Sequence, residues 1–233
     1  MNSTQIIDQL QRRFGSADFT KWQFHRWSFY DYVRYPTAGG TQLTFFSIPL
    51  GGTDPNSSLG KTMEQTNVPK ARSFGQVYFF VQQIRTHLHV LAKNRQHATI
   101  SGDADVITST YSDMMNALLN LSGQGVLNFP IGSKHYFDIV KPFETCPPGF
   151  GVNISQHASS ASAADRYLFQ QSNKLDDVYS VTPAQMIEPE QTVEITIDFP
   201  NATSPALTGL VNAVDPRLDV GVILDGYIAR PAQ

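Results

Sequence analysis

The sequence predicts an all-β protein, a large β-sandwich with a few short helices. Three observations carry that expectation. About ten or eleven segments read as strands, and they do not alternate with helices as they would in an α/β fold. The longest, Phe74 to Val90, has two apolar sets of opposite parity: Val77, Phe79 and Val81, then Ile84, Thr86, Leu88 and Val90. A pure strand cannot change parity without turning one set away from the core. One extra residue at Gln82–Gln83, a β-bulge, keeps both sets on the same face. The composition agrees: 15 Phe and 9 Tyr suit strands, and only 16% of residues are charged.

That charge content is well below the ~25% of ordinary domains. Interface cores are likewise depleted in charge and rich in aromatics, so part of the surface is expected to be covered by neighbouring copies. A chain of 233 residues can bury a substantial core as one large domain or two small ones. No internal repeat or clear linker divides it. It reads as an N-terminal arm over 1–18 and one domain over 19–233. Cys146 is the lone cysteine, so no disulfide forms within the chain. A net charge of −3 argues against specific nucleic-acid binding by the bulk surface. No run approaches the ~18 apolar residues of a membrane span. The start, Met-Asn-Ser-Thr-Gln-Ile-Ile-Asp, lacks the basic and apolar blocks of a signal peptide.

In chain order, residues 1–14 read as a helix. Ile6, Ile7, Leu10 and Phe14 share one face, and Arg12 and Arg13 close the last turn, where cations suit the dipole. Residues 19–35 are aromatic-dense; Trp22 and Phe24, then Trp27 and Phe29, suggest an extended chain with a parity change. Thr41 to Ile48 is a strand ended by Pro49. Residues 50–73 form a long loop, and ordered loops of that length usually serve function or contact. After the Phe74–Val90 strand, 98–100 and 106–108 read as a hairpin. Ser109 to Leu121 reads as a helix with Met114, Leu118 and Leu121 on one face. Val126–Phe129 and Tyr136–Val140 form a hairpin around Gly132–Ser133. Residues 141–151 read as irregular, and the small polar run Ser155 to Ala164 as a loop moulded on a neighbour. Strands follow near Tyr167–Gln170, Val178–Ile187 and Thr192–Phe199, the last with Val193, Ile195, Ile197 and Phe199 on one face. Leu218 to Ile228 closes the chain, with Val220, Val222, Leu224 and Ile228 aligned. Strands this frequent, with long-range links, suggest a jelly roll or a related sandwich.

Several stretches resemble a known family. They are Tyr35-Pro-Thr-Ala-Gly-Gly-Thr-Gln-Leu-Thr-Phe-Phe-Ser-Ile-Pro-Leu-Gly-Gly52, Thr66-Asn-Val-Pro69, Ile131-Gly-Ser-Lys-His-Tyr136, Pro147-Pro-Gly-Phe-Gly-Val152 and Val222-Ile-Leu-Asp-Gly-Tyr-Ile-Ala-Arg-Pro231. Together they resemble the jelly-roll major capsid proteins of tailless icosahedral bacteriophages with internal membranes. The resemblance implies a virion structural protein made in the host cytoplasm, without catalysis or cofactor. Its partners would be further copies in a trimer or pseudo-hexameric capsomer, other capsid proteins and the internal membrane. It leaves single and double rolls open; loops at 50–73, 109–122, 141–165 and 200–217 favour one elaborated roll. The arm residues Ile6, Ile7, Leu10, Arg12, Arg13 and Phe14 are then expected to contact a neighbouring subunit or the membrane.

Residue chemistry offers rivals. His87-X-His89 places two imidazoles on one strand face, and His97 would complete a metal set, as in a cupin-like metalloenzyme. Cupins follow such a pair with a carboxylate, whereas Lys93 and Asn94 stand there in this chain. The plainer expectation is a polar face opposite Leu88 and Val90. Trp22 and Trp27 would serve a carbohydrate-binding sandwich. Pro55-Asn-Ser-Ser-Leu-Gly-Lys-Thr62 imitates the end of a P-loop but has Pro55 where backbone N–H donors are needed, so Lys61 reads as a surface or contact residue. Asp198, Asp219 and Asp225 read as solvated turn residues or ion ligands between subunits.

Overall fold

The computed structural model describes residues 3–15, 22–36, 39–56, 59–91, 121, 123–146, 151–157, 166–172, 178–199 and 217–231. These contain ten strands: β1 (Trp22–Arg34), β2 (Gln42–Phe45), β3 (Tyr78–Leu91), β4 (Val126–Ile131), β5 (Lys134–Val140), β6 (Gly151–His157), β7 (Arg166–Ser172), β8 (Tyr179–Ile187), β9 (Ile195–Asp198) and β10 (Arg217–Pro231). Helix α1 spans Ser3–Phe14 and the short α2 spans Pro142–Thr145. Of the helix expected over Ser109 to Leu121 only Leu121 is described, helical and buried in the core; the hairpin expected near 98–108 and His97 lie outside the described residues.

One sheet has the order β1-β10-β3-β8 and the other β2-β9-β4-β5, with β6 and β7 as a separate two-stranded ribbon. All the pairings are antiparallel. The order has a simple origin. β1 pairs with β10, β2 with β9, β3 with β8 and β4 with β5. The chain is therefore one long antiparallel ribbon, doubled back at the β4–β5 turn. It is wound so that successive pairs fall alternately in the two sheets. The β6–β7 ribbon is inserted between β5 and β8.

The core lies between the sheets. Phe29, Phe79, Ile84, Val222 and Leu224 from one sheet meet Phe45, Leu127, Phe129, Ile195 and Ile197 from the other. Phe29 stacks on Phe74 at 4.1 Å and meets Phe79 edge-on at 4.9 Å. The bulge expected in the longest strand is present. In the pairing with β10, Gln83 faces Asp225 and Val81 faces Gly226, so Gln82 is the extra residue. Phe79 and Val81 before it and Ile84 after it all enter the core. Opposite the bulge the backbones close in. A Cβ on Gly226 would stand 1.9 Å from the Phe80 carbonyl oxygen, so only glycine fits.

The parity change expected in β1 does not occur. Its register with β10 is unbroken from Trp22 to Arg34. Instead the apolar residues cover two faces in turn. Phe29, Val33 and Tyr35 face the sandwich core, while Trp22 and Phe24 face the other side of the sheet, beneath α1. There Ile6 and Leu10, both fully buried, pack on Phe80 and Ala229. Arg13 ties the end of the helix to Glu188 at 2.9 Å, and the Gly15 N–H closes the last turn on the Gln11 carbonyl. So short a helix is marginal alone in water; burial of its apolar stripe holds it.

Two more segments differ from expectation. Residues 155–157 belong to β6 rather than to a loop. The 141–151 stretch contains α2, docked where β8 has run out. Past Ile84 the β3 edge has no strand partner among the described residues, and the Thr86 N–H and hydroxyl bond the Cys146 carbonyl at 2.7 and 2.9 Å. Among the described residues no helix is long and apolar enough to cross a membrane.

Candidate functional site

The outer face of the first sheet is divided. One half lies under α1. The other carries a polar network across β1, β10 and β3. Strand register places Tyr32, Gly221 and His87 in one row and Arg34, Asp219 and His89 in the next. A Cβ on Gly221 would lie 2.3 Å from the Tyr32 ring. Glycine therefore lets the phenol lie flat across β10 and reach His87 Nδ1 at 3.0 Å. His89 stacks on His87, ring centres 5.6 Å apart and planes 14° from parallel. Beyond them Arg85 forks onto Asp225, with Nε–Oδ2 at 2.6 Å and Nη2–Oδ1 at 2.9 Å, and the Ser28 hydroxyl donates to the same carboxylate.

Burial, together with the charges of His89 and Arg85, lowers the His87 pKa to about 4. The imidazole is neutral at pH 7, and its tautomer sets which partner donates in the Tyr32–His87 bond. Burial also raises the Tyr32 pKa, against the pull of Arg85. A base so weak and a phenol so reluctant to ionise suit an ordered network better than proton transfer at neutral pH. The two histidines do share the face opposite Leu88, whose side chain packs on the core. Among the described residues, no three His, Cys, Asp or Glu side chains are grouped to hold a metal ion.

The acidic residues correct the sequence reading. Asp219 and Asp225 lie inside β10, 2% and 7% exposed, rather than in turns. Asp198 ends β9, where the Gln42 and Asn128 amides bond it. Cys146 is buried, and burial pushes its thiol up to about 12, which leaves no thiolate for nucleophilic chemistry.

Lys61 is the largest departure from expectation. It is not on the surface; its ammonium meets Asp31 at 2.6 Å with both side chains fully buried. The Phe46 N–H donates to the other Asp31 oxygen at 2.7 Å. Burial raises the Asp31 pKa, opposed chiefly by Lys61 and then by the Phe46 and Thr66 hydrogen bonds. This pair anchors the long loop. Between Gly51 and Lys61 the loop is a small hairpin, with Gly51 N–H to the Lys61 carbonyl at 2.9 Å and Lys61 N–H to Gly52 at 2.8 Å. Buried Asp54 accepts the Arg34 N–H. The Asn67 side chain bonds the Ser28 carbonyl and the Tyr30 N–H, and Tyr32 donates its N–H to Gln65. The described parts of the loop, 49–56 and 59–67, thus form a pinned flap that covers the β1 edge. It presents Leu50, Leu59 and Met63 to solvent, 43%, 62% and 73% exposed.

On the far side, β8 and the β4–β5 turn border a cleft of about 400 Å3, lined among others by Arg13, Ile131, Lys134, Tyr136, Met186 and Glu188. Of the arm residues expected to touch a neighbour or membrane, Ile6 and Leu10 are occupied within the chain and Ile7 packs beside them. Arg12 is exposed, Arg13 pairs with Glu188, and the Phe14 side chain lies outside the described residues. Trp22 packs against Tyr78, while Trp27 stays exposed. Comparison with family models, curated proteins and solved structures finds no match to this chain.

Proposed function

We propose that this chain is a virion structural protein: a single, elaborated jelly-roll major capsid subunit that self-assembles into trimeric or pseudo-hexameric capsomers. The observation that carries the reading is the strand order. An antiparallel ribbon wound into two four-stranded sheets, β1-β10-β3-β8 facing β2-β9-β4-β5, is the arrangement on which capsid, lectin and cupin jelly rolls are built. Within that set, the observed sites favour a structural role. A cupin-type centre would need its ligands inside the roll, but the interior is filled by Phe, Ile, Leu and Val, and His87 and His89 sit on the outer face. Large apolar residues exposed on a rigid flap suit contact between copies better than catalysis. Arg12, on the outward side of α1, remains available to other capsid proteins or an underlying membrane.

Sedimentation of the purified chain with electron microscopy of its assemblies tests the proposal. Rings or shells with three- or six-fold symmetry are expected. A stable monomer from micromolar to near-millimolar concentration overturns it.

A further inference from the structure

We infer that capsomers form through a head-to-tail contact in which the flap over β1 of one copy enters the cleft beside β8 of the next. The inference rests on the capsid reading and adds the surfaces that would make it work.

In the first sheet β1 and β8 are opposite edges, and in the second β2 and β5 are. The flap is pinned to the β1 edge by Gln65 and Asn67. The cleft lies between β8 and the β4–β5 turn. Two different surfaces on opposite edges of one sandwich make a heterologous contact, which closes into a ring when the rotation between copies allows.

The flap is preorganised. Buried Lys61–Asp31 and Asp54–Arg34 bonds hold the flap backbone before any partner arrives. Little ordering entropy is then lost on docking. Leu59 and Met63 are 62% and 73% exposed, and both are on this one flap.

Flap and cleft are complementary. A volume of about 400 Å3 is ample for one or two side chains. Tyr136, 40% exposed, and Met186 offer apolar surface for Met63 or Leu59. Exposed Glu64 follows Met63, and Lys134 lines the cleft, where Arg13 is already paired with Glu188. The acid beside the apolar tip thus complements Lys134, which steers encounter and fixes register.

The test uses the full-length chain and two variants, Met63→Asp on the flap and Tyr136→Asp in the cleft. Both side chains are exposed, so melting temperatures should stay near wild type. If Tyr136→Asp unfolds the chain, Lys134→Glu takes its place, and its loss of assembly should be restored by Glu64→Lys in the same chain. At a concentration where the wild type sediments as rings, each variant alone should sediment as a monomer. Mixed in equal amounts they should form dimers and nothing larger, because only one competent flap and one competent cleft remain per pair. Wild-type rings from either variant, or a mixture without dimers, overturn the flap-and-cleft contact and leave the capsid reading standing. A wild-type chain that never assembles overturns both.

Discussion

Replacing Lys61 by Met should be among the most damaging single changes in this chain. The side chain is similar in length, but the ammonium 2.6 Å from Asp31 is lost and the carboxylate stays fully buried. Breaking a buried ion pair by removing one partner costs about 3–5 kcal/mol. For a chain of this size each kcal/mol moves Tm by about 2–4 °C, so a drop of about 6–20 °C is expected. The cost should depend on pH with a definite sign. Burial already raises the Asp31 pKa, and the opposing influence of Lys61 disappears in the variant. A carboxyl raised above its unfolded value destabilises the fold at pH above its folded pKa, and the penalty fades as pH falls toward the ordinary carboxylate range. The gap between wild type and Lys61→Met should therefore narrow on acidification. A second comparison separates charge from hydrogen bonding. Lys61→Met with Asp31→Asn removes the buried charge but keeps an acceptor for the Phe46 N–H; Lys61→Met with Asp31→Leu orphans that donor, at about 1–3 kcal/mol. Urea unfolding at several pH values reads all of these. A Lys61→Met loss below about 1 kcal/mol at pH 7, or a deficit that grows on acidification, refutes the reasoning.

Other consequences follow from the same geometry. His87 is lowered from 6.5 to about 4, so its neutral folded form contributes stability above pH 6.5 that is lost as pH falls toward 4. At about 1.4 kcal/mol per pH unit the wild type should lose up to about 3 kcal/mol more than His87→Gln over that window, and equal slopes in denaturant titrations count against it. Leu10→Ala should cost about 2–5 kcal/mol, and deleting residues 1–14 should lower Tm further by uncovering Phe80 and Ala229; a truncated chain with unchanged Tm would show that α1 does not pack on its own sheet. Gly226→Ala should fail to yield folded protein, since its Cβ meets a backbone oxygen that cannot move aside; wild-type circular dichroism and Tm would contradict this. His87→Ala with His89→Ala should leave assembly unchanged, and stoichiometric zinc, iron or manganese lost with that pair would overturn the structural reading of the network.

The core was legible because its signal is local. Alternation in Val193–Phe199 and Val220–Leu224 gives the buried face directly, and the parity break at Gln82–Gln83 marks the bulge. What failed was every inference that assumed a sheet has one wet face. Trp22 and Phe24 imitate a register shift because α1, earlier in the chain but adjacent in space, dries the second face at that end. Asp219 and Asp225 look like turn residues because acids inside strands are uncommon. Their partners, Arg85 and Ser28 for Asp225, come from strands far away in sequence. Lys61 was misread for the same reason: a lysine in a loop is exposed unless a carboxylate waits in the core, and Asp31 lies thirty positions earlier. Long-range polar pairing leaves no periodic trace.

These misreadings share a physical origin that bears on function. In the first sheet, β1, β3 and β10 run 13 to 15 residues, whereas in the second sheet no strand exceeds 7. A sheet that outreaches its partner cannot bury both its faces along its whole length against that partner alone. The chain covers the excess with its own parts: α1 on the outer face at one end, the Tyr32–His87–His89 network on the outer face at the other, and the flap along the β1 edge. Where this self-covering stops, large side chains remain in solvent. Trp27 is one, at 46% exposure in the stretch of β1 before the core begins, and the flap tips Leu59 and Met63 are others. An exposed edge strand invites unwanted pairing, and here Asn67, Gln65 and Arg34 with Asp54 take up its backbone groups instead. Blocking the edge in this way leaves side chains, rather than open strand backbone, to make lateral contacts. Contacts of that kind can specify one neighbour and one angle, which a closed shell requires and open-ended strand pairing does not provide.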